Sequence, residues 1–303
     1  MYKILLMTTF VMLLLIIFVN YIHAEEGFIF SIEDPLRDDF GPGTYYYPGN
    51  ETFEPYYGLF DIIKFELVAL KDYYLFKLYF DSLNDPWASK YGFSLPLIEI
   101  YIDNAKGGST EVFREGANVS FDPRHPWDKL LKLTGWWIRL YTPDDNKENI
   151  IGLDFNDEEI SGNVKNCEIE TKDNQIELKI KKDLLGPLIN SYMYILVGGF
   201  DPFGLDHFRG INNKEDSWKF YDPDLSDSKL IHAPRVIDII LPENYNQEKV
   251  LSKYEQSFAV VYPVSIKTDK YIMKTNLLLL IAIVIILGII IFMNRDKFIN
   301  NNF

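Results

Sequence analysis

Apolar and polar positions alternate in short bursts along most of this chain, with the period of strands rather than helices. Ile62, Phe65, Leu67 and Val68 precede the polar pair Lys71-Asp72, and Tyr73, Leu75, Phe76, Leu78 and Phe80 follow it. Short β-branched and aromatic runs on either side of a polar pair predict a hairpin. Further strands are predicted at 97–102, 136–141, 175–180, 192–197 and 236–240, with Ile176, Leu178 and Ile180 alternating cleanly. Helical spacing is confined to a short segment at 247–254. Many short strands broken by Gly, Pro, Asn and Asp clusters predict an all-β fold, an antiparallel β-sandwich of immunoglobulin-like or jelly-roll-like kind, rather than a wound α/β sheet.

The two ends follow a different pattern. Lys3 precedes an apolar run at 4–19, then a more polar stretch ends at Ala24 ahead of Glu25 and Glu26. A basic start, a short apolar centre and a small residue before the charged part predict a signal peptide at 1–24. Ile22 is a poor residue three positions from the end of such a motif, so an uncleaved anchor stays open. Near the other end, 277–293 is an unbroken apolar run, followed at once by Asn294, Arg295, Asp296 and Lys297. That length suits a single transmembrane helix at 272–293, and the basic residues beyond it favour a cytoplasmic tail at 294–303. The stretch 25–271 is then an extracellular domain on the cell membrane, joined to the span by a short spacer.

Charge narrows the partners. With 44 acidic against 30 basic side chains, the formal net charge is −14. Such a surface repels phosphate backbones and excludes a nucleic-acid role, while it suits cations, neutral ligands or a basic partner. Cys167 stands alone, which excludes an intramolecular disulfide and leaves the core, a bound metal or both to stabilise the domain. Asn50-Glu51-Thr52 and Asn118-Val119-Ser120 are N-glycosylation patterns.

Two features carry candidate chemistry. Asp34, Asp38 and Asp39 fall within six residues of a loop bent by Pro35, Gly41, Pro42 and Gly43. Carboxylates that converge in this way supply the hard oxygens calcium requires, and Asp61, Asp103 and Asp201, each at a predicted strand end, could complete the 6 to 8 ligands the ion takes. Arg37 within the loop could instead neutralise Asp38 or Asp39. An acidic solvated turn is the plain alternative. The second feature is aromatic: 5 Trp and 20 Tyr provide more ring surface than a core of this size needs. An exposed indole offers a flat apolar face to the C–H side of a sugar ring, with nearby polar groups for its hydroxyls. Trp87 and Trp127, each after Pro, are the platform candidates; at Trp136-Trp137 strand alternation sends one ring in and the other out. Most Trp in sandwiches are core residues, which weighs against any single choice.

Enzyme signatures are absent or weak, which ranks a glycoside hydrolase last among the readings. His125, His207 and His232 lack metal-ligand spacing, and no phosphate loop, nucleophile elbow or dinucleotide fingerprint occurs. Paired carboxylates are too common in so acidic a chain to argue for glycoside hydrolysis.

One ordered set of landmarks goes further. Asp34-Pro35, Asp38-Asp39 and Gly41-Pro42-Gly43 precede Phe60-Asp61, Asn84-Asp85-Pro86-Trp87, Tyr101-Ile102-Asp103, Trp127-Asp128 and Gly135-Trp136. Val197-Gly198-Gly199-Phe200-Asp201, Arg209, Trp218 and Pro234-Arg235-Val236-Ile237-Asp238 follow. The series resembles the C-terminal module of glucodextranase, a carbohydrate-binding or cell-surface module. The resemblance implies a sandwich similar to family 9 carbohydrate-binding modules, with structural calcium, paired aromatic rings holding a sugar, and no catalytic residues. Trp87, Trp127, Trp137, Trp218 and Arg209 are the residues then expected to meet a glycan. The chain differs from the family pattern at Arg37, where Gly is usual, at the additional Asp85, and at Asp201-Pro202 in place of Asp-Gly. The expected function is a membrane-anchored, non-catalytic binder of a polysaccharide or cell-surface glycan. The alternative is a cell-surface anchor or scaffold that holds a protein partner, such as a surface-layer subunit or a separate hydrolase.

Overall fold

The computed structural model describes residues 27–149, 151–155 and 166–267. The predicted signal peptide and C-terminal span lie outside the described residues; within them, no helix is long and apolar enough to cross a membrane.

The strands in chain order are β1 (Gly27–Glu33), β2 (Ile62–Ala69), β3 (Tyr73–Phe80), β4 (Pro96–Asp103), β5 (Val119–Phe121), β6 (Lys129–Leu133), β7 (Ile138–Tyr141) and β8 (Leu153–Asp154). They continue as β9 (Cys167–Lys172), β10 (Gln175–Lys181), β11 (Tyr192–Gly199), β12 (Ile211–Asn212), β13 (Phe220–Tyr221), β14 (Val236–Ile240), β15 (Ala259–Val261) and β16 (Val264–Ser265). One antiparallel sheet has the order β1-β2-β3-β10-β9, and a second runs β14-β11-β4-β6-β7-β8 with β16 also on β11. Phe65, Phe76 and Leu178 of the first sheet share a core with Ile100, Leu131 and Ile195 of the second, so the two pack face to face as the patterning predicts.

Alternation explains the first sheet. In the β2–β3 hairpin Phe65 lies across from Leu78 and Leu67 from Phe76, all buried. The intervening positions turn outward and form a charged lattice, Lys64 with Glu66 at 3.0 Å, Lys77 with Glu177 at 3.1 Å and Lys179 with Glu168 at 3.1 Å. Exposed pairs of this kind add little stability; they keep the outer face wet.

The second sheet is buried on both sides, which explains the nearly continuous apolar run of β4. Ile98, Ile100 and Ile102 face the shared core, whereas Leu97 and Tyr101 face another core built with Val119, Phe121, Trp127 and Leu251. Glu99 interrupts that run and lies directly across from Lys132 on β6. Their ion pair is 2.8 Å long and both side chains are wholly buried.

Two local readings change. The strand predicted at 136–141 begins only at Ile138, because Trp136 and Trp137 occupy a turn. The Thr134 hydroxyl oxygen accepts from both their backbone N–H groups at 3.2 Å. Gly135 sits so close to Phe93 that a Cβ there would lie 1.7 Å from its carbonyl oxygen, so a side chain is excluded. A helix at Pro143–Glu148 has no counterpart in the apolar pattern, since it buries nothing. It is held by a capping box between Thr142 and Asp145 and by Pro143 in its first turn. The predicted segment 247–254 is helical over Gln247–Leu251, capped by the Asn246 side chain accepting from the Lys249 N–H.

Candidate ligand groove and acidic cluster

Four loops at the edges of this scaffold bring aromatic rings together. Asp85 accepts from the Ser89 N–H at 2.9 Å, and the Ser89 hydroxyl donates to the Phe93 carbonyl at 2.8 Å, which closes the loop carrying Trp87. The Thr134 turn presents Trp136 and Trp137. Asp216 accepts from the Trp218 and Lys219 N–H groups at 2.8 and 3.0 Å and sets the half-exposed Trp218 at the surface. The segment after β11 supplies Phe200, Asp201, Pro202 and Phe203. Together with Arg209 these residues line a groove of about 580 Å³.

The rings are ordered against one another. Trp87 stacks on Trp136 at 6.4 Å between centroids and 24° between planes, and Trp136 meets Phe200 at 4.8 Å. Trp218 stands edge-on to the buried Phe53 at 6.3 Å. Arg209 fastens the loops: its guanidinium donates to the Trp218 carbonyl at 2.5 Å and the Phe200 carbonyl at 2.6 Å, and lies 5.0 Å above the Phe53 ring. Only 4% of it is exposed, and its Nε has no hydrogen-bond partner. Burial lowers the Arg209 pKa to about 10, opposed by Asp201 and Asp216, so it stays charged at neutral pH. The groove therefore offers several apolar faces, one carboxylate and one guanidinium, the composition of a site for a ligand with flat C–H faces and hydroxyl edges.

Sequence expectations meet this geometry unevenly. Trp87, Trp137, Trp218 and Arg209 converge on the groove, and Asp201, expected as a metal ligand, lines it too. Trp127 does not reach it. Its ring is fully buried, edge-on to Tyr101 at 5.2 Å with its indole N–H donating to the Glu111 carbonyl at 2.8 Å, so it has no face to offer a ligand. The expected in-and-out alternation at Trp136-Trp137 also fails, because a turn lets both half-buried rings reach the groove.

The acidic loop forms a second centre. Ligand atoms of Asp34, Asp38 and Asp238 lie within 4.8 Å of one another. Asp39 and Asp61 are fully buried close by, and one oxygen each of Asp34, Asp38, Asp39 and Asp61 has no hydrogen-bond partner. The rest of the ring is fixed by backbone: Asp238 accepts from the Ile62 and Ile239 N–H groups at 2.7 Å each, and Asp61 accepts from the Arg37 N–H at 2.6 Å. Asp39 accepts from the Tyr47 hydroxyl and, at 3.2 Å, from the Phe60 N–H. Burial first, then repulsion from Asp38 and Asp61, raises Asp34 to about 9. Burial likewise raises Asp61 to about 7 and Asp38 to about 6, although backbone N–H bonds act in the opposite sense.

Arg37 does not neutralise this cluster. Its guanidinium points away, 3.9 Å from Asp81 and over the Tyr57 ring at 4.7 Å. Asp103 is not a member either: it pairs with His125 at 3.1 Å, and the carboxylate beside it is Asp128. Asp238 was missing from the expected ligand set, although an Asp inside the apolar run Val236-Ile237-Asp238-Ile239-Ile240 is itself a signal of a buried, occupied carboxylate. Orphaned carboxylate oxygens that face no cationic side chain among the described residues fit a hard divalent ion, and pocket residues Glu33, Asp34, Asp38 and Glu243 leave a way in from solvent.

Asn118 cannot serve as a glycan acceptor in the folded chain. It is buried, and its amide donates to the Ile231 and Ala233 carbonyls at 3.0 and 2.7 Å. Mass spectrometry of the folded chain recovered from a glycosylating host is expected to show Asn118 unmodified; a glycan there would mean that the segment 231–233 packs differently. Asn50 is half-buried, and its side-chain oxygen caps the turn at Glu51–Phe53 by accepting from the Thr52 N–H at 3.0 Å.

A mostly β scaffold of packed antiparallel sheets that carries an open, ring-lined groove has the build of a ligand-binding module. The chain belongs to the family of the C-terminal binding module, SLH-like, of glucodextranase, which matches residues 29–263. No curated protein matches the chain.

Proposed function

We propose that this chain is a non-catalytic glycan-binding module displayed outside the cell, with its groove as the sugar site and calcium at the acidic cluster. The observation that carries the reading is the convergence of Trp87, Trp136, Trp137, Trp218 and Arg209 on one open groove. Family membership supports it, since that family is described as a binding module and not as a catalytic domain. Trp87 and Trp218 take the apolar faces of pyranose rings, while Asp201 and Arg209 meet hydroxyls at their edges. Asp34, Asp38 and Asp238, with Asp39 and Asp61 beside them, hold the ion; its charge relieves the repulsion among them and ties the 34–48 loop to β14. On this reading the packed antiparallel sheets are a sandwich of the carbohydrate-binding-module type, and the apolar segment 272–293, outside the described residues, serves as the membrane attachment.

The test is affinity electrophoresis of the full-length chain, solubilised in a detergent without a sugar headgroup, through gels containing α-glucans or cell-surface polysaccharides. Retardation by at least one polysaccharide, relieved by its free oligosaccharide, is the expected result. No retardation by any of them would remove the sugar reading. The SLH-like character of the family favours a second reading, a cell-surface scaffold for a protein partner; stoichiometric co-purification with that partner, unaffected by oligosaccharide, would support it instead.

A further inference from the structure

One segment beside the groove combines order with exposure in an unusual way. The chain leaves β11 at Phe200 and returns at Phe208, which pair as an isolated antiparallel bridge. Between them the Asp201 N–H donates to the His207 carbonyl at 2.8 Å, the Gly204 N–H to the Asp201 carbonyl at 3.0 Å and the His207 N–H to the Gly204 carbonyl at 3.0 Å. The Asp201 carboxylate accepts from the Phe203 N–H at 3.0 Å and shapes the tip. Gly204 is pressed against Phe208, where a Cβ would stand 1.9 Å from its carbonyl oxygen.

The base of this arm is held more firmly still. Asp206 and His207 have φ of 48° and 66°, left-handed conformations that a non-glycine residue adopts at a cost and keeps only when its surroundings impose them. Here the imposing partner is Lys132. Its buried ammonium donates to the Asp206 carbonyl at 2.8 Å, pairs with the Asp206 carboxylate, and pairs with Glu99 at 2.8 Å on the neighbouring strand. Burial alone would lower the Lys132 pKa, but the two carboxylates outweigh it and hold the ammonium charged. Removal of one partner from such a group leaves a bare buried charge, so the arm is locked to the sheet.

At the tip of this locked arm the Phe203 ring is 95% exposed, yet it lines the groove. A large apolar ring in water on a mobile loop would be unremarkable. On an arm whose backbone is ordered at the mouth of a ring-lined groove, part of the ordering cost is met before any ligand arrives, and the area the ring can bury is left for that ligand. We infer that Phe203 is a ligand-contacting ring of the groove, presented by an arm anchored through Asp206 and Lys132, and that it selects glycans presenting an apolar pyranose face beyond the one held by Trp87 and Trp218. This rests on the glycan reading above. It adds a residue outside the resemblance, in the segment where Asp201-Pro202 replaces the family's Asp-Gly.

The experiment is titration of the full-length chain with the oligosaccharide series of whichever polysaccharide retards it, by isothermal calorimetry, for the wild type and for Phe203→Ala, Phe203→Leu and Phe203→Trp. Because the ring is in solvent, all three should unfold at the wild-type midpoint. Phe203→Ala and Phe203→Leu are expected to bind the longer oligosaccharides about tenfold more weakly, with Phe203→Trp restoring affinity, and the shortest ligand is expected to show a smaller loss. Equal affinity of Phe203→Ala and wild type across the series overturns the inference and leaves the groove assignment standing. Absence of any glycan binding by wild type overturns both. Leu205, half exposed near the same tip, makes a membrane-dipping tip the competing use. Phe203-dependent flotation of the chain with zwitterionic vesicles, without glycan dependence, would also overturn it, although the acidic surface gives no attraction to anionic lipid.

Discussion

Removal of calcium from the full-length chain at pH 7.5 should lower its unfolding midpoint by about 5–10 °C, and the gap between loaded and chelated protein should widen from pH 5 to pH 8. The size follows from linkage: an ion at about 100 times its dissociation constant contributes about 2.7 kcal/mol to a state that alone binds it. Each kcal/mol moves the midpoint of a domain of this size by about 2–4 °C. The pH trend follows from the carboxylates. Without metal, Asp38, Asp61 and Asp34 have folded values of about 6, 7 and 9, all above the unfolded carboxylate at about 3.9. Their protonated forms therefore stabilise the metal-free fold fully below about pH 4, and that contribution is lost as pH rises through 6, 7 and 9 in turn. Calcium at the proposed site would bind the deprotonated groups, so its contribution should grow over the same interval. Asp34→Asn, which removes the need to protonate a buried carboxylate on folding, should raise the midpoint of the chelated protein and shrink the calcium response. A midpoint indifferent to chelator at both ends of that pH range would remove the metal from this site.

Replacement of Trp218 by Ala should weaken glycan binding by about 2–4 kcal/mol, a factor of about 30 to 1,000, with little effect on the unfolding midpoint. Trp218 is 48% exposed, so much of its ring gains nothing from folding and is available to a ligand. The loop beneath it is fixed by Asp216 and by the Arg209 bond to its carbonyl, neither of which needs the indole. Trp87→Ala should cost a similar amount of affinity but more stability, since its ring is the more buried of the two and stacks on Trp136, whereas Trp218 keeps an edge contact with Phe53. Calorimetric titration paired with thermal unfolding separates the two. Wild-type affinity in both variants would mean that the groove is not where the ligand binds.

How much of this could be read without the fold depends on the kind of residue. Strands were legible because burial on one face imposes a period of two, and Phe65, Leu67, Phe76 and Leu78 obey it. The acidic loop was legible because three carboxylates in six residues are costly to assemble for no reason. Asp238 was harder, since its neighbours in space are distant in sequence: its carboxylate accepts from the Ile62 N–H at 2.7 Å across a separation of 176 residues. The Lys132, Glu99 and Asp206 cluster was hidden for the same reason, although charged residues inside the apolar strands 96–103 and 129–133 point to it.

Tryptophans show the limit most clearly. Trp87 and Trp127 have the same local signature, a loop after Pro, yet one lines the groove and the other fills a core against Tyr101. Ring size and flanking residues are properties of the sequence, but which face of a ring meets water depends on what the other strands place over it. The sequence by itself determined a mostly β architecture, an acidic balance of charge, the exclusion of an intramolecular disulfide, and a family-specific order of loops. Only the tertiary structure decided that Trp127 and Asn118 are closed off, that Asp103 and Asp201 part from the acidic cluster, and that Phe203 stands in solvent. Periodicity and composition act locally along the chain, whereas a site is defined by which distant loops converge, and long-range packing alone sets that.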